Sequence, residues 1–409
     1  MSAPSGIPSA RPSTLGPDAT VGVLGAGAMG SGIAQVAAAA GHRVLVTDAR
    51  SEALEHAKAG VEKRLAREVE KGRLDAAAAG RLAERISWAP GAAGELVIFR
   101  HCGLVIEAIV EDLRAKQEAF RGLEEIVPDD CVLATNTSSL SITAIAAACR
   151  KPERVIGAHF FNPAPVLPLV EIVPGLTTGP GIAAATRALM NAWGRTTVLA
   201  ADTPGFIVNR IARPFYGEAL RLYEEGIADR STIDWAMTEL GGFRMGPFDL
   251  MDLVGNDVNL AVSRSIFEGL QYDPRYKPSV TQQRLVEAGF LGRKSGRGHY
   301  DYRNGRGTPK PEPRRDPATG GAILDRILAM LVNEAADALF WRIASRDDID
   351  LALTRGVNYP KGLLRWGDEI GLARILARLE RLREEYGEER YRPSPLLRRM
   401  AQAGERFWP

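Results

Sequence analysis

The sequence is poor in cysteine. Three occur in 409 residues, Cys102, Cys131 and Cys149. The number is odd and the spacing fits no metal-ligand motif, which argues against a disulfide framework and a zinc module. Such usage fits a reducing cytoplasm, with the thiols as small apolar fillers. Charge of one sign is not in excess, since 52 Lys and Arg face 50 Asp and Glu, a net charge of +2. That balance argues neither for nor against nucleic acid, and no nucleic-acid partner is assigned. No apolar run approaches the roughly 20 residues a membrane helix needs, so no membrane partner is expected. Residues 1–19 are rich in Pro, Ser and Gly and lack an apolar signal-peptide core. They read as a disordered leader. The rest is ordinary for a soluble globular protein, at 45% hydrophobic and 25% charged, and its length suits two or three domains.

What is present is organised around Val21 to Asp48, VGVLGAGAMGSGIAQVAAAAGHRVLVTD. A short apolar run reads as a buried parallel strand. Gly25, Gly27 and Gly30, with Ala28 and Met29 between the last two, form a G-x-G-x-x-G turn. Gly25 permits the tight exit from the strand, Gly27 lets a pyrophosphate approach, and Gly30 lets the helix pack on the strand. The Ala-rich helix over Ser31 to Ala40 would present free N–H groups and a positive dipole end to phosphates. A second strand ends at Asp48, 18 residues beyond Gly30. A carboxylate there can bind the adenosine ribose and repel a 2′-phosphate, which favours NAD over NADP. Arg50 softens that preference. Strand, turn, helix, strand and acid together make the motif a dinucleotide site.

Further on, Ser51 to Glu84 reads as helical and carries Lys58, Arg64, Arg67 and Lys71. Those charges suit either a solvated face or a contact for an anionic substrate tail. Leu104 to Ile109 and Val132 to Thr135 are strand-like, with a helix over Leu113 to Ile126 between them. The second run ends in Asn136-Thr137-Ser138-Ser139. Small hydroxyls beyond a strand's carboxyl end suit ligand contact, or a simple turn and cap. Val155 to Phe161 carries His159, and Leu169 to Val173 carries Glu171 in an otherwise apolar run. A lone His in a strand is most often a core residue. A buried carboxylate, however, needs a partner, and on consecutive strands these two could form a pair. A helix over Gly179 to Trp193 and a strand over Thr197 to Ala200 close this part.

Beyond Asp202-Thr203-Pro204-Gly205 apolar residues recur at helical spacing and strands disappear. Glu218 to Gly255 aligns without gaps on Glu334 to Gly371, at a constant offset of 116. Ile233-Asp234 meets Ile349-Asp350, and Gly246, Asp252 and Gly255 meet Gly362, Asp368 and Gly371. This predicts a duplicated helical domain whose copies pack together. Asn304 to Gly321 between them has linker composition.

The motifs GAGAMGSGIAQ, VIEAIVED, TNTSSLSIT, GAHFFNPAPV, LVEIV, DTPGFIVNR, GPFDLMDLVG and GRKSGRGHYDY, in that order, resemble the 3-hydroxyacyl-CoA dehydrogenase family from Val21 to about Tyr302. GVNYPKG and YGEERYRPSPLLR in the second copy look most like the long subgroup that includes 3-hydroxyadipyl-CoA dehydrogenases of phenylacetate breakdown. The resemblance implies an α/β Rossmann-type NAD-binding domain (20–201), a first helical domain (202–303), a linker (304–321) and a second helical copy (322–409). It implies NAD-dependent, reversible oxidation of an L-3-hydroxyacyl-CoA, short-chain or adipyl. The family's base matches His159 and its orienting acid Glu171. Ser138 and Asn209 match the groups that contact the substrate oxygen. Cofactor contacts carry over to Gly25, Gly27, Ala28, Met29, Gly30, Asp48, Glu111, Lys116, Asn162 and Lys294. A CoA-contacting lysine matches Lys71, while a serine some relatives carry appears here as Arg64. An adipyl chain would need a cation for its distal carboxylate, from Arg213, Arg221 or Arg244. The position matching Asn209 in the second copy is Asp325. That copy is expected to be architectural, replacing in cis the contact that makes single-copy relatives dimers. A homodimer is the other expectation. Two other functions stand beside this one. One is a non-catalytic protein that keeps the cofactor fold, against which the intact Ser138, His159, Glu171 and Asn209 speak. The other is a dehydrogenase of a free hydroxy acid, which would usually carry a lysine where Asn209 stands.

Overall fold

The computed structural model describes residues 15–16, 18–90, 96–303 and 310–409. Most of the expected leader and part of the expected linker therefore lie outside the described residues. The chain divides into two compact units, Met1–Asp202 and Thr203–Pro409.

The first unit is a twisted α/β layer. Its strands are β1 (Thr20–Leu24), β2 (Val44–Asp48), β3 (Ile86–Pro90), β4 (Cys102–Glu107), β5 (Val132–Thr135), β6 (Val155–Phe160), β7 (Leu169–Pro174) and β8 (Thr196–Leu199). Their order is β3-β2-β1-β4-β5-β6-β7-β8, and every pair is parallel except β6 with β7. The central strands are buried on both faces, which is why they read as continuous apolar runs. The helices are α1 (Ala28–Ala39), α2 (Ser51–Glu70), α3 (Ala76–Glu84), α4 (Leu113–Ile126), α5 (Ile142–Ala146) and α6 (Pro180–Ala192). The chain leaves β1 for β2 on one side, while β4 pairs on the other. This strand-order reversal opens a crevice beyond the strands' carboxyl ends.

Two expectations are corrected here. The helical stretch Ser51 to Glu84 is interrupted and forms two helices, α2 and α3. The chain turns between them, and Asp75 starts the second by accepting from the Ala78 N–H at 2.7 Å. The strand β3 was not foreseen. It is an edge strand whose residues after Ile86 are only partly covered, so ISWAP carries a weak apolar signal.

The second unit is helical. It contains α7 (Val208–Ile211), α8 (Arg213–Glu224), α9 (Arg230–Trp235), α10 (Pro247–Val254), α11 (Asn256–Gly269) and α12 (Val280–Glu287). Then follow α13 (Pro317–Phe340), α14 (Arg346–Gly356), α15 (Leu363–Ile370), α16 (Leu372–Tyr386) and α17 (Pro395–Ala403). The end of the expected linker is also corrected. Pro317 to Gly321 is the first turn of α13, with Asp316 as its cap and proline where its missing N–H costs nothing.

The repeat is physical. Asp234 accepts from the backbone N–H groups of Phe248 and Asp249 at 2.9 and 3.1 Å. Asp350, 116 residues on, accepts from Leu364 and Arg365 at 2.8 and 3.2 Å. Each carboxylate thus satisfies the orphan donors opening the next helix. Asp252 takes the N–H groups of His299 and Tyr300 at 2.8 and 2.9 Å. Its counterpart Asp368 takes those of Phe407 and Trp408 at 2.9 and 2.8 Å.

Candidate active site

The glycine turn connects β1 to α1. A Cβ on Gly30 would lie 1.9 Å from the Gly25 carbonyl oxygen, so only glycine lets the helix sit this close to the turn. A Cβ on Gly27 would meet nothing within 4 Å. Gly27 is the N-cap of α1 and has no side-chain cap, so the first amides of α1 are left for an external acceptor. Gly27 and Ala28 are exposed, and Met29 is half-buried. Asp48 ends β2. Its Oδ2 accepts from the Ala26 N–H at 2.8 Å and its Oδ1 from the Arg50 N–H at 3.0 Å. A fixed carboxylate thus stands beside the turn. These features fit an adenine dinucleotide, with its pyrophosphate at the amino end of α1 and a ribose at Asp48.

A cavity of about 330 Å³ adjoins the turn, lined by Gly27, Ala28, Ser31, His56, Gly60 and Arg64 among others. Arg64 crosses from α2 to α1, donating from Nε to Gln35 at 2.9 Å. Burial lowers its pKa from the ordinary arginine value. Lys71 is the exposed C-cap residue of α2.

His159 and Glu171 are direct cross-strand partners in the antiparallel pair β6 and β7. Nδ1 of His159 lies 2.7 Å from Glu171 Oε2, and the side chains are 7% and 0% exposed. The expected pair is therefore formed. With the proton on Nδ1, donated to the carboxylate, the lone pair is on Nε2. The Phe161 ring packs on the imidazole at 4.5 Å between centroids. Asn162 is exposed just past β6. Asn136 ties the neighbouring strand end to β6 by accepting from the Phe160 N–H at 2.8 Å.

Ser138 follows β5 at the same edge of the sheet. Its turn is wrapped around the Glu111 carboxylate. Oε1 of Glu111 accepts from Thr137 Oγ1 at 2.7 Å, from the N–H of Ser138 at 2.9 Å and from the N–H of Ser139 at 3.1 Å. Ser138 Oγ is 3.3 Å from the same oxygen. Burial pushes the Glu111 carboxyl up, but Lys116 and these donors outweigh it and hold it below the usual range. Lys116 is 1% exposed, with Nζ 2.6 Å from Glu107 and 3.4 Å from Glu111. Glu107 also accepts from Thr135 Oγ1 at 2.7 Å. Glu107 was not singled out from the sequence. Its signal, an acid inside the apolar run LVIEAI, is the one that drew attention to Glu171.

Asn209 and Lys294 lie in the helical unit. Asn209 is in α7, and its carbonyl accepts from Arg213 Nε at 2.9 Å. Lys294 is paired with Asp257 at 2.7 Å.

Comparison with known proteins identifies relatives of both units. Residues 20–203 match the 3-hydroxyacyl-CoA dehydrogenase NAD binding domain. Residues 205–302 and 321–406 each fall within matches to the 3-hydroxyacyl-CoA dehydrogenase C-terminal domain. The 3-hydroxyadipyl-CoA dehydrogenase of Escherichia coli K12 is 39% identical, over 93% of this chain and 97% of its own. The human mitochondrial hydroxyacyl-coenzyme A dehydrogenase is 39% identical over 69% of this chain and 91% of its own, so this chain carries sequence beyond that relative's span. Among solved structures, a 3-hydroxybutyryl-CoA dehydrogenase from Escherichia coli K12 superposes with a TM-score of 0.87 at 39% identity, covering 94% of this chain and 98% of its own. The chain belongs to the 3-hydroxyacyl-CoA dehydrogenase family, and its reaction is the NAD-dependent oxidation of a 3-hydroxyacyl-CoA.

Proposed function

We propose that His159 is the base of this reaction and Glu171 its orienting acid. The observation that carries the reading is the buried 2.7 Å contact between Nδ1 of His159 and Glu171. Oxidation of a secondary alcohol removes a proton and a hydride. The imidazole takes the proton at Nε2, and the carboxylate stabilises the imidazolium that forms. NAD, when bound, accepts the hydride. Ser138 and Asn209 hold the reacting oxygen, and Glu111 keeps the Ser138 turn in place. In reverse, the imidazolium returns the proton to the alkoxide. Gly25, Gly27, Ala28, Met29, Gly30 and Asp48 hold the dinucleotide, with Glu111, Lys116, Asn162 and Lys294 near its nicotinamide half. Arg64 and Lys71 face the CoA portion.

The acyl group is short-chain or dicarboxylic. Support comes from the relatives, which are named for 3-hydroxyadipyl-CoA and 3-hydroxybutyryl-CoA. The second helical copy replaces in cis a dimer contact, and the chain is a monomer. Support is the reciprocal pairing of the copies: Arg326 of the second reaches Glu218 of the first, while Arg275 of the first reaches Glu334 of the second. The free thiols of Cys102, Cys131 and Cys149 favour a cytoplasmic setting.

The test is NADH consumption with acetoacetyl-CoA, longer 3-oxoacyl-CoA thioesters and 3-oxoadipyl-CoA. Turnover of the first or last above the longer neutral chains supports the reading. A preference for long neutral chains refutes the acyl assignment.

A further inference from the structure

The three arginines that could meet a distal carboxylate are not equivalent. Arg221 is engaged, donating from Nη1 to Glu218 at 2.8 Å. Arg244 is exposed. Arg213 is 7% exposed, and among the described residues none of its hydrogen-bond partners is an acid. Nε donates to the Asn209 carbonyl at 2.9 Å, and Nη1 to Ser263 Oγ at 3.2 Å and the Asn259 carbonyl at 3.5 Å. The guanidinium carbon sits 4.9 Å from the centre of the Tyr216 ring. Neutral carbonyls, one hydroxyl and a ring offset only part of the cost of burying a full charge. Burial accordingly lowers its pKa from the ordinary arginine value.

Arg213 also lines a small cavity of about 20 Å³, with Asn259, Ser263, Lys277, Ser279 and Gln282. That volume admits a water-sized group, such as one carboxylate oxygen. Arg275 and Lys277 contribute to the wall, and among the described residues no acid does. Arg275 is already committed to Asp273, Glu334 and Asp337. The net positive charge of the cavity therefore rests on Arg213 and Lys277.

We infer that Arg213 receives the distal carboxylate of a dicarboxylic acyl chain. The inference rests on the reading that Asn209 holds the reacting oxygen. Arg213 follows Asn209 by four residues, across Ala212, which caps the end of α7 and the start of α8. Four residues of helix rise about 6 Å, and the Arg213 guanidinium lies beside Asn209, donating to its carbonyl at 2.9 Å. In a six-carbon chain, three bonds separate C3 from the terminal carboxyl carbon and span roughly 4 Å when extended. A charge-assisted hydrogen bond covers the remaining distance. A chain ending in a methyl group leaves the guanidinium without its acid.

The experiment compares kcat/KM for 3-hydroxyadipyl-CoA and 3-hydroxyhexanoyl-CoA, which have the same acyl length. The full chain is used as wild type, Arg213→Met and Ser263→Asp. A ratio measured on one preparation is independent of the fraction correctly folded. The wild type is expected to favour the dicarboxylic substrate. Arg213→Met should reduce that preference about 10- to 100-fold, the worth of a charge-assisted bond. Ser263→Asp should also reduce it, because an aspartate within reach of Nη1 neutralises the arginine in place. An unaltered ratio in both variants, with both substrates turned over, overturns this inference and leaves the dyad reading intact. Failure of the wild type on both substrates overturns both. If free adipate alters the wild-type rate while the ratio stays put, Arg213 serves a free anion and the tethered carboxylate is refuted.

Discussion

Arg326 and Glu218 are 108 residues apart in the chain, yet Nε of the one donates to Oε2 of the other at 2.9 Å, both buried. Arg326 is the counterpart of Arg210 at the repeat offset, and each lies over a tyrosine ring: Tyr391 at 5.6 Å and Tyr276 at 5.7 Å. Glu334, the counterpart of Glu218, accepts from Arg275 at 3.0 Å and from the Tyr276 hydroxyl. One device is therefore built twice, each time across the two copies. Self-complementary pairing of this kind is the property of a two-fold interface, here contained in one chain.

Glu218→Gln should destabilise the protein by about 3 kcal/mol, because it leaves the buried Arg221 without its acid and Arg326 with Glu225 alone. Burial raises the Glu218 carboxyl, but Arg221 and Arg326 overcome this and hold it below the ordinary range. Its contribution is therefore complete above the unfolded value of about 4.3 and fades as pH falls through the lower folded value. Denaturant unfolding at several pH values should show the gap between wild type and variant closing in acid. A gap independent of pH would contradict the ion-pair account.

The thiols should report folding. Burial pushes Cys102 up to about 12 and Cys149 to about 11, and raises Cys131 further. Few thiolates exist near neutrality, so a disulfide reagent should react slowly with the native protein. Cys149, the least buried, should react first. Rapid labelling of Cys102 in native protein would contradict its placement at the start of β4.

Asp48 should govern the choice of dinucleotide. Its carboxylate is fixed by the Ala26 and Arg50 amides, and the Arg50 side chain comes within 3.9 Å of it. Asp48→Ser removes the repulsion toward a 2′-phosphate and leaves Arg50 to attract it. The preference of kcat/KM for NADH over NADPH should fall by about tenfold or more. An unchanged preference would remove Asp48 from the cofactor site.

Glu111→Gln should lower kcat more than it raises KM. An amide oxygen holds the Ser138 turn less firmly than a carboxylate accepting from Thr137, Ser138 and Ser139 together. Steady-state kinetics with acetoacetyl-CoA would decide, and a KM effect alone would assign Glu111 to binding only.

The legibility of these features follows the physics. Buried parallel strands such as Val132–Thr135 announce themselves, because both faces must be apolar. The half-covered edge strand Ile86–Pro90 does not. The bounds of α4 were readable because Asp112 caps it locally, accepting from the Ala115 N–H at 2.8 Å. The His159 and Glu171 pair could be inferred, since an acid in an apolar strand demands a partner and the adjacent strand offered one. The tasks of Asp234 and Asp350 were hidden, because their amide partners lie 14 and 15 residues ahead, across a loop. The start of α13 was masked by its own proline and glycines. The solitary charge of Arg213 was invisible for a related reason: spacing reveals which residues are near, not which acids are missing.

The central claim is that the imidazole of His159, steadied by Glu171, moves the proton. Single-turnover oxidation of NADH by acetoacetyl-CoA tests it most directly, in wild type, His159→Gln and Glu171→Gln, with NADH binding measured separately by fluorescence. The account predicts intact NADH binding in all three proteins. It also predicts loss of the hydride-transfer rate by about 10²-fold or more in each variant, the worth of a positioned acid–base group. Transfer within a few-fold of wild type in His159→Gln, at full NADH occupancy, would contradict it.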